Sequence, residues 1–291
     1  MGTTLSVGGG NHNVTVFGNG TVFAGNGDDT ITISGNGFVK AGSGSDSIVI
    51  YGDGTVAAGN GNDTIDVHGS GTIGAGSGND SISVSNNGSI SVGGGHDTIS
   101  LYGSGKISQT GASGHDTINL GFGNDTIYEA GQATIKGAFG SALVSGGGVT
   151  FTNSGWSTHT EGTALSGHVT LIGGEYLNQF VGGTGSTLMK GGLGPDTFVG
   201  GSGSDTMVGG TSHNVFEFVS SEAGGKHLIT NFVAGQDQLY LEGHSLSYLQ
   251  THNEISVSHG NTYISLDSGN TTIELKGFTG LNGSDITTHK P

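Results

Sequence analysis

Arginine and cysteine are absent from these 291 residues, and proline occurs only twice. Without cysteine the chain has neither disulfides nor thiolate metal sites. Seven lysines face 23 carboxylates, a formal net charge of −16. So little positive charge argues against nucleic-acid binding and against anionic membrane surfaces. No stretch approaches the roughly 18 consecutive apolar residues of a membrane span, so no membrane insertion is expected. The first residues, Met1 to Gly8, have neither a basic start nor an apolar run, so no cleavable signal peptide is expected. What the chain has in excess is glycine, 62 residues of it, which favours turns and leaves little room for helices.

The glycines keep a period. Asp29, Asp46, Asp63, Asp80 and Asp97 recur every 17 residues, each in a phrase Gly-x-Gly-x-Asp followed by Ser or Thr and then Ile. A fixed period of this length marks a solenoid, each repeat forming one coil stacked on the last. The repeated Asp places one carboxylate per coil along one edge.

Each coil reads as two short strands. Thr30-Ile31-Thr32-Ile33 alternates polar and apolar, as a half-buried strand does. The turn Ser34-Gly35-Asn36-Gly37 and a second strand, Phe38-Val39-Lys40-Ala41, follow. Stacking aligns inward rows Ile31/Ile48/Ile65/Ile82/Ile99 and Ile33/Ile50/Val67/Val84/Leu101 on one sheet. Val22/Val39/Val56/Ile73/Ile90 and Ala24/Ala41/Ala58/Ala75/Val92 align on the other, enough to fill a thin core. At about 4.8 Å per coil, His12 to Asp116 spans roughly 30 Å.

The register then changes. His12 stands where coil one would carry its Asp. Asp116 comes 19 residues after Asp97, and Gln109 falls on an inward Ala/Val position, which implies a bulge or widened turn. Asp125 follows 9 residues later and belongs on the opposite edge. Residues 131–172 lack Asp and hold the only Trp, Trp156; they read as a metal-free continuation of the solenoid or as an irregular bridge. From Gly173 a period of 9 appears, clearest in Gly191-Gly192-Leu193-Gly194-Pro195-Asp196-Thr197-Phe198-Val199 and Gly200-Gly201-Ser202-Gly203-Ser204-Asp205-Thr206-Met207-Val208.

These two units resemble the nonapeptide of the repeats-in-toxin (RTX) family, and the 17-residue coil resembles two such units, one shortened and stripped of its Asp. Leu228 to Leu241 resembles the capping strands of RTX rolls, and the polar tail resembles a C-terminal type I secretion signal. The resemblance implies an all-β fold, a parallel β-roll (β-solenoid) with a β-rich C-terminal cap. Its parts are an N-terminal roll at 1–130, the Asp-free segment at 131–172, a nonapeptide roll at 173–218, and a cap with secretion signal at 219–291. It also implies several Ca²⁺ ions held between successive turns. The candidate ligands are Asp29, Asp46, Asp63, Asp80, Asp97, Asp116, Asp125, Asp196 and Asp205.

The residues support a hard cation independently. Ca²⁺ takes 6–8 oxygens from carboxylates and carbonyls alike, and Mg²⁺ prefers a tighter octahedron with retained waters. An Asp can also merely cap its own turn, but five in register set like charges about 4.8 Å apart, which repel without a counter-ion. Asn178, Thr187 and Asn214 replace the Asp in three nonapeptides, so fewer or weaker sites are expected there. The other turns of the N-terminal array (Asn36, Asp53, Ser70, Asn87 and Ser104) leave that edge mostly bare.

Lesser features have plain readings. His96 and His115 read as solvated turn residues rather than a transition-metal site. Phe17, Tyr51, His68 and Tyr102 share one position and form a broken aromatic row able to stack on sugars. The Thr/Ser rows are interrupted by Val49 and Asp66, unlike a flat ice-binding face. No His-Glu-x-x-His and no Gly-x-Ser-x-Gly occurs, so the chain is not expected to be an enzyme. The expected function is a secreted, extracellular or surface-associated calcium-binding structural protein that associates with itself. An adhesin or accessory module for extracellular polysaccharide is the alternative, and a solenoid-surface lyase or epimerase ranks third.

Overall fold

In the computed structural model, which describes all residues except 1, 112, 138–140, 147, 153–159, 165–166, 220–223 and 291, the 17-residue period folds as a two-stranded coil. Glycine turns reverse the chain twice per period, and both strands of each coil pair in parallel with their counterparts one period away. Contacts divide the chain into two compact units, Met1–Ser141 and Ala142–Pro291. Both are parallel β-solenoids, as the periodicity predicts.

In the first unit, one sheet contains Gly20–Asn26, Gly37–Ser43, Gly54–Asn60, Gly71–Gly76, Gly88–Val92, Gly105–Gln109 and Asp125–Glu129. The other contains Thr30–Ile33, Ser47–Ile50, Thr64–Val67, Ser81–Val84, Thr98–Leu101, His115–Leu120 and Gln132–Gly137. The four inward rows are buried between them. Each fully buried Ile or Val contributes roughly 1.5–3 kcal/mol. The roll extends past residue 130, because Gln132–Gly137 pairs in register with His115–Leu120.

Stacking this tight is a glycine property. A Cβ on Gly42, Gly59 or Gly76 would overlap the carbonyl oxygen of Gly25, Gly42 or Gly59 in the coil before. These glycines also take φ values of +92° to +120°, where L side chains are strained.

In the second unit, successive strands from His168 to Val208 repeat every 18 residues, two full nonapeptides, as in the pairing of Asn178–Val181 with Asp196–Val199 and of Ser186–Lys190 with Ser204–Val208. Its core residues are larger: Phe180 meets Phe198 at a tilt with centroids 5.9 Å apart, and Phe198 stacks on Phe216 at 5.0 Å. Strands continue through 131–172, including Val149–Thr152 and His168–Ile172; Trp156 lies outside the described residues.

The cap differs from expectation. Lys226–Thr230 and Gln238–Leu241, within and beside the supposed capping segment, form a further parallel coil. The reason is that Ile229 and Leu239 extend the inward rows through Met207 and Phe216, so the segment prolongs the roll. Closure comes later, from the antiparallel strands Asn261–Leu266 and Ile255–Ser258 and the helix Leu246–Thr251, whose start is capped by Ser245.

Candidate metal centre

Asp29, Asp46, Asp63, Asp80, Asp97 and Asp116 form one line along an edge of the first unit, all buried. Their placement follows from the turn: Gly-x-Gly supplies two positive-φ residues, such as Gly42 and Gly44, and returns the chain so that the Asp side chain faces the neighbouring coil. The backbone N–H of each Asp donates to Oδ1 of the Asp one coil further on, at 2.8–2.9 Å from Asp29 through Asp97. The carbonyl oxygens of Asp29 to Asp97 accept from the Ser or Thr after the next Asp, at 2.7–2.8 Å.

That accounting leaves one atom over. Oδ2 of Asp29, Asp46, Asp63, Asp80, Asp97 and Asp116 is buried without a hydrogen-bond partner. Burying a carboxylate with an oxygen unsatisfied is costly unless a charge compensates it. Burial pushes the Asp63 carboxyl up to about 7 and those of Asp80 and Asp116 to about 6, with neighbouring carboxylates adding to the rise. Asp46 and Asp97 are raised for the same leading reason.

A hard divalent cation fits these atoms. No three carboxylate or imidazole groups converge among the described residues, so such an ion would take Asp oxygens from adjacent coils and the rest from turn carbonyls. Gly27, Gly44, Gly61, Gly78 and Gly95 offer theirs where a Cβ on the next coil's glycine would intrude. All-oxygen donors suit Ca²⁺.

The line ends at His12, whose N–H and Nδ1 lie 2.8 and 3.0 Å from Asp29 Oδ1. A lesser ladder runs beside it through the residue before each Asp, as in Ser45 N–H to Asp28 Oδ1 and Asn79 N–H to Asn62 Oδ1. His96 and His115 belong to that outer ladder and are exposed. Asp125 lies on the opposite edge, at the register of Gly105, whose N–H it accepts at 2.9 Å. Its Oδ2 is again unpartnered, and burial pushes its carboxyl up to about 7. In earlier coils glycine holds that register, while Asn19, Asn36, Asp53 and Asn87 accept N–H groups one residue before it.

Asp196 and Asp205 fall on opposite edges of the second unit, because 9 residues are half a coil, and their surroundings differ from the first unit's. Asp196 Oδ1 accepts from the Asn178 N–H and side-chain amide at 3.0 and 2.6 Å, and its Oδ2 from Gly192 N–H at 2.9 Å. Asp237 is held likewise by Asn214 and Val233. Asp205 accepts the Thr187 N–H at 3.0 Å, and its Oδ2 lies 3.2 Å from Nδ1 of the buried His227. Sequence reasoning treated Asn178 and Asn214 only as losses; in the fold their amides are donors to the adjacent Asp. It read Gln109 only as the mark of a bulge or widened turn and passed over Glu129; both are buried.

Stacked Gly-x-Gly-x-Asp turns, with a buried and unpartnered carboxylate oxygen on each Asp from Asp29 to Asp116, fit a calcium-binding β-solenoid. The model of the RTX calcium-binding nonapeptide repeat matches in four copies, within residues 15–32, 110–128 and 181–216, so the chain carries RTX calcium-binding repeats. No curated protein sequence matches it significantly. Among solved structures it is similar to the extracellular lipase LipA from Serratia marcescens, at 12% identity and a TM-score of 0.21. The match covers 72% of this chain and 40% of that one. The chain thus spans two fifths of that lipase's length.

Proposed function

We propose that this calcium-binding repeat protein is a secreted, non-enzymatic structural element of an extracellular surface or matrix, in which Ca²⁺ sets coil geometry and rolls associate with one another. The line of buried, unpartnered Oδ2 atoms carries the reading: it is a feature of the stack itself, repeated coil after coil. RTX repeat proteins are typically exported by type I systems, and millimolar extracellular Ca²⁺ would load such sites. Among the described residues of the first unit, Thr3–Ser6 and Asn13–Val16 each pair with a single strand, and exposed strand edges template pairing with other chains. Light scattering and electron microscopy with and without Ca²⁺ test the proposal. Calcium-dependent association, lost in Val14→Pro while the remaining roll stays folded, is expected. A strictly monomeric species at high concentration in Ca²⁺ would refute it.

A polysaccharide-binding module is the second reading. A groove of about 650 Å³ follows the bare edge, lined by Asn19, Asn36, Asp53, Thr55, Thr72 and Phe38 among others. Beside this edge Phe17 is 87% exposed, and Tyr51 stacks on His68 at 4.8 Å. Amide, hydroxyl and aromatic groups in such a groove suit sugar rings. A glycan array with the soluble protein separates the two readings.

A further inference from the structure

The line of ligand-position carboxylates stops at Asp116, because its register partner in the next coil is Ala133. The change coincides with another. On the facing sheet, the inward row next to this edge reads Ala24, Ala41, Ala58, Ala75 and Val92, and then turns polar at Gln109 and Glu129. Glu129 follows Tyr128, the register partner of Ser108, so Gln109 and Glu129 stand in neighbouring coils at the same place.

Both are enclosed, Gln109 at 4% and Glu129 at 6% exposure. Gln109 Oε1 accepts the Gly131 N–H at 2.8 Å. Gly131 in turn packs against Gly114 of the Asp116 turn: a Cβ there would sit 3.6 Å from the Gly114 carbonyl oxygen. Neither Glu129 Oε1, Glu129 Oε2 nor Asp116 Oδ2 has a hydrogen-bond partner. Glu129 is near enough to Asp116 and Asp97 that their charges add to the effect of burial, pushing its carboxyl up to about 8.

We propose that Glu129 and Asp116 form a terminal Ca²⁺ site, in which a glutamate rising from the facing sheet replaces the aspartate missing at Ala133. The site rests on the calcium reading of the stack and extends it to a residue outside the repeated motif. Reach explains the residue type. Ala133 Cβ has no carboxylate to offer at the turn, and the longer Glu side chain starts from the inward row at the same edge. Three unpartnered carboxylate oxygens make a hard, all-oxygen donor set. The competing description is a neutral Glu129 acid held in the core without a cation.

Equilibrium dialysis against ⁴⁵Ca²⁺ with the full chain distinguishes these, using Glu129→Gln, a neutral isostere, and Glu129→Ala, which restores the residue found at four coils above. Both variants are expected to bind one ion fewer than the parent protein. In chelator, Glu129→Gln is expected to melt no lower than the parent, so the lost ion cannot be ascribed to misfolding. An unchanged stoichiometry in two folded variants would overturn the terminal site and leave the rest of the ladder standing. A parent protein that binds no calcium at all would overturn the calcium reading itself.

Discussion

Replacing Asp63 by Asn is expected to change stability with opposite signs in Ca²⁺ and in chelator. The substituted amide keeps an Oδ1 able to accept the Asp46 N–H, a bond of 2.9 Å in the parent protein, so the coil-to-coil hydrogen bond survives. What disappears is the unpartnered, negatively charged Oδ2. In Ca²⁺ at a hundred times Kd, each ion bound to the folded state adds about 2.7 kcal/mol. Asp63 stands between Asp46 and Asp80, so two ions lose a ligand and up to about 5 kcal/mol is at stake. In chelator at pH 8 the same oxygen is a liability. Burial first, then Asp80 and Asp46, push the carboxyl from 3.8 to about 7. A rise of about three pH units corresponds to about 4 kcal/mol, and solvent screening reduces this to about 1–2 kcal/mol. Thermal melting followed by circular dichroism, in excess Ca²⁺ and in excess EDTA, reads both signs. Exposed Asp53, which accepts the Ser70 N–H at 2.8 Å, provides the control: Asp53→Asn is expected to stay within about ±0.5 kcal/mol in both buffers. Equal destabilisation by Asp63→Asn in both buffers would refute the reasoning, because the carboxylate would then be serving the fold without a cation.

Two further outcomes follow from the same carboxylates. The calcium-free protein is expected to be more stable near pH 5 than near pH 8. The fold raises the carboxyls of Asp63, Asp80, Asp116 and Asp125 to about 6–7, so they bind protons more tightly folded than unfolded. Their stabilisation is complete below about pH 4 and lost as pH rises through about 6–7. A chemical-denaturation series across pH in EDTA checks the sign. Chelation is also expected to act unequally, because Asp196 and Asp237 have protein donors on both oxygens. Hydrogen exchange in EDTA should deprotect Thr64–Val67 and Ser81–Val84 before Asp196–Val199 and Val215–Phe218; equal loss would contradict the contrast.

The coils were legible because their signals are redundant. Glycine at the turns, alternation in Thr30–Ile33 and Asp29 to Asp97 in register all point to the same stacking, and the strands pair as the period requires. The closing elements were not, since Leu228-Ile229 and Leu239-Tyr240-Leu241 carry the apolar pattern of a coil as well as that of a cap, and only pairing with Thr206–Val208 and Val215–Phe218 decides between them. At the metal edge the line of Asp was visible from spacing, but its division into a hydrogen-bonded and a free oxygen was not, because that depends on which backbone N–H each side chain reaches. Glu129 escaped because no period marks it; its place emerges only when two sheets face each other.

The bond from one Asp N–H to the carboxylate of the following coil has a consequence for how such a protein can vary. Every junction between Asp29 and Asp97 is chemically the same, donor below and acceptor above, so excising or duplicating one whole period joins like to like. A change of any other length has to be absorbed in a turn, as in the 19-residue step from Asp97 to Asp116, which keeps the bond from Asp97 N–H to Asp116 Oδ1 at 2.9 Å. The stack can therefore grow or shrink by whole coils while the chemistry of each step stays constant. The number of coils and the number of ion-binding turns then change together, by copying, without any new residue having to be invented.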